Sequence, residues 1–236
     1  MGIMRTLTVT AVGHRGDPYR VRENTLPSLR SAFDRGADAV EIDVRLTRDG
    51  VPVLLHDDTL QRLWGHDVRL DAVTAPQLRE LTGGGVPTLR EALMATGAGR
   101  VMIDLPGASP EGVKAVVGLV RECGARERAY YCAGANTMLA VRAADPGAEI
   151  ALTWTSLSPP RRVLIDAVAP AWLNYRFGLV RRELVDALHG DGLRVSVWTP
   201  DTKRSMRKVL AAGVDSVTTN RMDVLTAVRA ESDPDR

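Results

Sequence analysis

Two carboxylates inside one apolar stretch are the residues of this chain whose types and spacing most clearly suggest chemistry. Glu41 and Asp43 interrupt the run AVEIDVRL. If this run forms a β-strand, alternate side chains share a face, so both carboxylates point the same way. Two carboxylates side by side in a partly buried place repel each other unless one is protonated or a cation neutralises both. Hard divalent cations take oxygen ligands, so the pair predicts a cation site.

A third acidic residue favours this interpretation over its alternatives. Asp104 comes late in another apolar run, RVMIDL. If the two runs are neighbouring strands of a barrel, the three carboxylates could converge and bind a divalent cation, Mg or Ca. Two alternatives stay open from the sequence. Arg45 or another basic residue could pair with Glu41 and Asp43, or the pair could lie on a solvated edge.

Two histidines and an arginine stand where strand-like runs enter loops. His14 follows TAVG, and His56 follows VPVLL. Imidazole titrates near neutral pH and can give or take a proton. Two such histidines flanking a carboxylate cluster favour acid/base catalysis over a structural role. Arg15, beside His14, carries a planar guanidinium that suits a phosphate or a carboxylate, although a surface arginine in a loop is the alternative.

Composition excludes several classes of function. The chain has 236 residues, of which 44% are hydrophobic and 25% charged, which is typical of a globular protein with a sizeable core. Its formal net charge of +2 does not predict a nucleic-acid partner. Cys123 and Cys132 form neither a disulfide framework nor a zinc pattern. No apolar run reaches the length of a membrane span and no signal-peptide pattern is evident, so we expect no stable membrane insertion and a cytoplasmic location.

The elements that must position these residues are strand-like runs that alternate with amphipathic helical runs. The strand-like runs are LTVTAVG, AVEIDVRL, RVMIDL, RAYYCA, EIALTW, AWLNYRF, RVSVWT and DSVTT. Eight strand–helix units predict an α/β fold, a closed (β/α)8 TIM-type barrel, with a doubly wound open sheet as the alternative. We expect one domain over residues 1–236, with a small subdomain at residues 51–87 inserted after the second strand.

Most of the chain resembles the glycerophosphodiester phosphodiesterase family. The resemblance rests on GHRG, ENTLPSLRSAFDRGADAVEIDVRLTRDGVPVLLHDDTLQR, PTLREAL and VWTPDTKRSMRKVLAAGVDSVTTNR. It implies a (β/α)8 barrel with a small insertion after the second strand. It also implies cleavage of glycerophosphodiesters to glycerol 3-phosphate and an alcohol with a divalent cation.

The resemblance also implies roles for individual residues. The acid/base pair corresponds to His14 and His56, and two metal ligands correspond to Glu41 and Asp43. The residues expected near the substrate are Arg15, which falls on a phosphate-contacting arginine, Glu23 and Asn24 of the ENT signature, and the aromatic Trp198.

Two positions depart from the family pattern. Where the family usually reads Glu-x-Lys after the third barrel strand, this chain reads DLP, with Asp104 and Pro106. Asp104 can still be a metal ligand, although its side chain is one methylene shorter, but Pro106 cannot replace the charge of a lysine. Asn220 stands where the family tends to have an aspartate. Arg20 and Arg22, near the expected site entrance, could recover some positive charge.

The sequence therefore predicts a metal-dependent phosphodiesterase that acts on a small-molecule phosphodiester by histidine acid/base catalysis, in an oligomeric state it does not specify. The alternatives are a phospholipase-D-like lyase that gives a cyclic phosphate, a diverged enzyme for an unusual phosphate ester or diphosphate, and a non-catalytic binder of a phosphoryl ligand. Tyr131, Trp154 and Tyr175 could contact a head group of the substrate or belong to barrel packing.

Overall fold

The computed structural model describes residues 9–231. Its strands are β1 (Thr10–His14), β2 (Ala39–Leu46), β3 (Pro52–Leu54), β4 (Arg100–Asp104), β5 (Ala129–Ala133), β6 (Ile150–Trp154), β7 (Trp172–Arg176), β8 (Arg194–Trp198) and β9 (Ser216–Thr219). All except β3 pair in parallel, in the order β1-β9-β8-β7-β6-β5-β4-β2. The ring closes because β1 also pairs with β2, so the predicted (β/α)8 barrel is confirmed and the open sheet is wrong.

Helices connect the strands around the outside of the barrel. They are α1 (Leu26–Asp34), α2 (Gln61–Trp64), α3 (Ala75–Leu81), α4 (Leu89–Ala95), α5 (Pro110–Glu122), α6 (Ala135–Ala144), α7 (Arg162–Val168), α8 (Arg182–Gly190), α9 (Lys203–Ala212) and α10 (Met222–Glu231), with 3-10 turns at Leu70–Ala72 and Phe177–Leu179. Several begin at a threonine whose hydroxyl caps the first turn, as Thr25 does for α1 and Thr202 for α9. No helix within residues 9–231 is long and apolar enough to cross a membrane.

Successive side chains of β2 point alternately to the hydrophobic core and to the barrel interior. Val40, Ile42 and Val44 face outward and belong to the main hydrophobic cluster between strands and helices. Glu41 and Asp43 face the barrel interior instead, and they are 4% and 1% exposed. A buried parallel strand normally reads as a continuous apolar run, so the two carboxylates are a costly exception that calls for a function.

A polar network lies at the N-terminal end of the barrel. The carboxylate of Glu149 accepts hydrogen bonds from Arg100 (2.6 Å), Trp172 (2.7 Å) and Arg194 (3.1 Å). The guanidinium of Arg194 also stacks 3.7 Å above the ring of Trp172. This end is therefore filled with side chains, and the opposite end is the one that can admit a ligand.

The segment between β2 and α4 has a small core of its own. Strand β3 pairs with β2 in antiparallel fashion. The segment's separate hydrophobic cluster consists of Val53, Leu55, Leu60, Leu70, Val73, Leu78 and Val86. These features fit the predicted subdomain at residues 51–87, whose status as an insertion stays a prediction. The start of the LTVTAVG run, residues 7 and 8, lies outside the described residues.

Candidate active site

The predicted catalytic and metal-ligating residues meet at the C-terminal ends of neighbouring barrel strands. The strand register places His14, the last residue of β1, beside Glu41 of β2. It also places Asp43 of β2 beside Asp104, the last residue of β4. Parallel strands in register thus bring four side chains together that are up to 90 positions apart in the sequence.

Three carboxylates form a compact cluster. One oxygen from each of Glu41, Asp43 and Asp104 lies within 4.8 Å of the others, a spacing that could hold one metal ion. Burial, followed by the charges of Asp43 and Asp104, raises the pKa of Glu41 well above its usual value. Burial and then Asp43 raise the pKa of Asp104 to about 7. The cluster is electrostatically strained without a cation, which fits a cation site.

Arg15 is the basic residue that pairs with this cluster. Its backbone N–H donates to Glu41 Oε2 (2.9 Å), and its Nε lies 3.0 Å from Asp43 Oδ2 as an ion pair without good hydrogen-bond alignment. Burial opposes the charge on Arg15, but Asp43 and Glu41 outweigh it and raise its pKa. The alternative in which Arg45 pairs with the carboxylates is wrong, because Arg45 Nε donates to the backbone carbonyl of His56 instead (2.6 Å).

The ENT residues support the site from behind the cavity wall. Asn24 is 2% exposed, donates from Nδ2 to Asp43 Oδ2 (2.7 Å) and accepts from the backbone N–H of Asp43 (3.2 Å). Its positive φ of 55° is tolerated by asparagine better than by most residues. Glu23 accepts hydrogen bonds from Arg15 (2.8 Å) and Arg62 (2.7 Å). Neither Asn24 nor Glu23 lines the cavity, although both contact residues that do, and their role near the substrate stays a prediction.

His14 is held by a chain of two further residues. Its Nδ1 lies 2.8 Å from Asn220 Oδ1, and Asn220 Nδ2 donates to Asp201 Oδ2 (2.7 Å). Burial, reinforced by the charge of Arg15, lowers the pKa of His14. The other ring nitrogen, Nε2, lies 3.9 Å from Glu41 Oε2. A neutral His14 with a proton on Nδ1 therefore presents a lone pair toward the carboxylates.

His56 has a different partner. Its Nδ1 lies 2.7 Å from Asp57 Oδ1, and Arg62 Nε donates to Asp57 Oδ2 (2.6 Å). The hydrogen bond from Arg62, followed by the one with His56, lowers the pKa of Asp57 to about 2 despite some burial. Asp57 is consequently a carboxylate at neutral pH, and it orients the His56 ring through Nδ1.

The two histidines, Arg15 and the three carboxylates line one cavity of about 590 Å³. The predicted residues on its wall are His14, Arg15, Glu41, Asp43, His56, Asp104 and Trp198. Other wall residues were not singled out from the sequence: Met102, Cys132, Asn136, Thr153, Asn174 and Thr218. Trp198 Nε1 and Thr218 Oγ1 are buried and have no hydrogen-bond partner within the described part of the chain. Both can therefore donate to hydroxyl or phosphate oxygens of a ligand.

The positions of several other residues can be compared with what the sequence predicted for them. Tyr131 and Tyr175 lie in the outer hydrophobic cluster, so for them the barrel-packing alternative is the correct one. Arg22 stacks 4.3 Å above the ring of Trp64. Neither Arg22 nor Arg20 lines the cavity, and the suggestion that they supply charge to the site gains no support.

Comparison with known proteins agrees with this geometry. A sequence model of the glycerophosphoryl diester phosphodiesterase family matches residues 14–224. The chain belongs to this family. It is 27% identical to a glycerophosphodiester phosphodiesterase of Caldanaerobacter subterraneus subsp. tengcongensis, over 94% of this chain and 97% of the relative. It is also 27% identical to a glycerophosphodiester phosphodiesterase of Bacillus altitudinis, over 92% of this chain and 97% of the relative.

Solved structures of glycerophosphodiester phosphodiesterases share the fold. That of Thermotoga maritima superposes with a TM-score of 0.82 at 24% identity and covers 93% of this chain and 98% of that chain. An Oleispira antarctica phosphodiesterase in complex with the product sn-glycerol-3-phosphate gives a TM-score of 0.86 at 22% identity, over 93% of this chain and 96% of that chain. At this identity the comparison establishes the barrel fold.

Proposed function

We propose that this protein hydrolyses small glycerophosphodiesters to glycerol 3-phosphate and an alcohol with the help of a divalent cation. The observation that carries the proposal is the placement of three clustered carboxylates and two histidines on the wall of one cavity. Family membership and the names of the two relatives support the activity. The product bound to the Oleispira antarctica protein is the one expected here.

The carboxylate cluster fits a hard cation. Glu41, Asp43 and Asp104 would hold it through oxygen atoms, which Mg²⁺ and Ca²⁺ both prefer. When bound, the cation would polarise a phosphoryl oxygen as a Lewis acid. Burial and mutual repulsion, which raise the pKa values of Glu41 and Asp104, are the observations that favour a cation here. Arg15 Nη2 makes no hydrogen bond to the protein within residues 9–231 and could donate to a phosphate oxygen.

The two histidines divide the proton transfers between them. His14 pairs with the neutral amide of Asn220 and has a lowered pKa, so it is suited to accept the proton of the attacking hydroxyl at Nε2. His56 is oriented by the carboxylate of Asp57 and lines the cavity, so it is suited to donate a proton to the leaving oxygen. As the bond between phosphorus and the leaving oxygen breaks, His56 gives that oxygen its proton. The attacking hydroxyl belongs to the glycerol of the substrate, so this step gives a cyclic phosphate. Water then opens the cyclic phosphate: His56 takes a proton from the water, His14 returns its proton to the glycerol oxygen that leaves phosphorus, and glycerol 3-phosphate forms with both rings back in their starting states.

A phosphorus NMR assay tests the proposed function. Glycerophosphocholine, glycerophosphoethanolamine, glycerophosphoinositol and a lysophospholipid are incubated with the protein in the presence of Mg²⁺, Ca²⁺ or a chelator. The account predicts a glycerol 3-phosphate resonance from at least one diester, which disappears with the chelator. A persistent cyclic phosphate would indicate a lyase, and unchanged substrates with a bound-state shift would indicate a binder. Turnover that survives the chelator would contradict the cation.

A further inference from the structure

Arg45 shares a cavity wall with Pro106, the position at which the family pattern has a lysine. Along β2 it follows Glu41 and Asp43 on the same inward face, because alternate residues of a strand share a face. The register pairs Asp43 with Asp104, and Arg45 and Pro106 each lie two residues further along the chain from this pair. Arg45 does not line the reaction cavity itself. It lies with Pro106 on the wall of a second cavity of about 410 Å³, which shares Pro106 and Gly107 with the reaction cavity.

Arg45 is fixed by a hydrogen bond, but its guanidinium has no ion-pair partner within the described residues. Its Nε donates to the backbone carbonyl of His56, which fixes the guanidinium beside a cavity residue. No carboxylate lies within 4.0 Å of Arg45 in the part of the chain that the structure describes.

Three other arginines near the two cavities each form ion pairs with carboxylates, in contrast to Arg45. Arg15 contacts Glu23 and Asp43. Arg62 contacts Glu23 and Asp57. Arg69, which shares the second cavity with Arg45, contacts Asp58 and Asp71. An arginine beside the site whose Nη groups have no ion pair is suited to a ligand's anionic oxygen, because the planar fork of N–H groups matches phosphate geometry.

We propose that Arg45 contacts the substrate phosphate from the side of β4 and stabilises its charge as the phosphorus–oxygen bond breaks. This inference rests on the proposed phosphodiesterase activity. It identifies a substrate-contacting residue and explains how the site can work with a proline at position 106. The group that Arg45 would bind is an anionic oxygen of a phosphate monoester or diester. The two Nη groups would donate to this oxygen, while Nε keeps its hydrogen bond to the carbonyl of His56.

The test is a mutant cycle between Arg45 and Pro106. Arg45→Met removes the charge and keeps similar bulk, and kcat/KM should fall ~10²-fold, the effect typical of losing one donor to developing negative charge. Inhibition by inorganic phosphate and by sn-glycerol 3-phosphate should weaken ~10-fold. Pro106→Lys added to Arg45→Met should restore most of both losses. Pro106→Met in the same background should restore neither, since methionine matches the length of lysine without its charge.

Controls separate this inference from its rivals. Arg69→Met removes a paired arginine from the same second cavity and should leave kcat/KM and phosphate inhibition within about twofold of wild type. Circular dichroism and cation titration must show that each variant is folded with its carboxylates intact. The inference would be overturned if Arg45→Met lowered kcat but left phosphate inhibition unchanged, and Pro106→Lys did not restore kcat. That result would mean that Arg45 only holds His56 in position.

Failure of the inference can be told apart from failure of the proposed function. If wild type turns over a diester and Arg45→Met does so at the same rate with the same phosphate inhibition, Arg45 is not a phosphate contact and only this inference fails. If wild type itself turns over none of the diesters and is not inhibited or bound by phosphate, the proposed function fails, and the inference falls with it.

Discussion

The Nδ1 atom of His14 lies 2.8 Å from Oδ1 of Asn220, although the two residues are 206 positions apart in the sequence. The contact exists because the barrel closes by pairing β1 with β9, with Gly13 beside Thr219. Asp201 accepts hydrogen bonds from both the backbone N–H (2.9 Å) and the amide Nδ2 (2.7 Å) of Asn220. A carboxylate has no hydrogen to donate, so the amide cannot turn over, and its oxygen must face His14.

This geometry predicts that Asp201→Asn lowers kcat while KM stays within about threefold, because the new amide lets Asn220 turn and present its NH2 group to His14. The proton of His14 would then move to Nε2, where no lone pair would remain for the reaction. Nitrogen-15 NMR of labelled histidine reports the tautomer directly. Asp223→Asn, which changes an exposed partner of Arg221, is the matched control and should leave the His14 signal unchanged. A wild-type tautomer with full kcat in Asp201→Asn would refute the coupling.

The two histidines should act as a pair. His14→Ala and His56→Ala are each expected to lower kcat by roughly 10²–10⁴, the usual contribution of one proton-transfer group. Cation affinity should be largely kept, since neither ring is needed to hold the carboxylates in place. His189→Ala is the control, because His189 is exposed and pairs with Asp215. Near-normal turnover in either site variant would return that histidine to a structural role.

The carboxylate cluster makes the stability of the cation-free protein depend on pH. The pKa of Asp104 is raised from 3.8 to about 7, so between these values the folded protein binds more protons than the unfolded chain. Stability should therefore fall as pH rises through this window. In a chelator, the melting temperature should be higher at about pH 5 than at about pH 8, and Asp104→Asn should flatten the difference. A melting temperature that rises with pH in the chelator, equally in both proteins, would contradict the raised pKa.

The polar network at the opposite end of the barrel should affect stability alone. Glu149→Ala removes the acceptor shared by Arg100, Trp172 and Arg194, and it should cost about 1–3 kcal/mol in the free energy of unfolding by urea denaturation. The kcat should be unchanged, because the network lies at the N-terminal ends of the strands. Glu127→Ala, an exposed substitution on a loop, should cost less than about 0.5 kcal/mol. Loss of activity in a stable Glu149→Ala protein would show that the two ends are coupled.

The local pattern of apolar and polar residues was enough to predict much of the fold. The AVEIDVRL run coincides with β2, and its alternation correctly placed Glu41 and Asp43 on one face. Strand-like runs elsewhere agree with the observed strands to within one or two residues among residues 9–231. Such agreement is expected where the spacing of the hydrophobic residues and the positions of the turn residues predict the same strand or helix.

Contacts across the ring could not be read from the sequence. The partners of His14 come from loops after the last two strands, and their positions follow only from barrel closure. Arg45 looked like a partner for the carboxylates because it is close in sequence, but its Nε is taken by a backbone carbonyl, which no residue pattern reveals. Asp57 is the exception, since a carboxylate directly after His56 could have been recognised as its orienting partner.

Cation binding to the carboxylate cluster is the central claim, and calorimetric titration with Mg²⁺ and Ca²⁺ tests it most directly. Wild type should bind one cation per chain with release of protons, because the pKa values of Glu41 and Asp104 are raised in the free protein. Glu41→Ala and Asp43→Ala should abolish binding and activity in proteins that remain folded by circular dichroism. Equal affinity in wild type and both variants would show that the cation, if any, binds elsewhere, and would contradict the account.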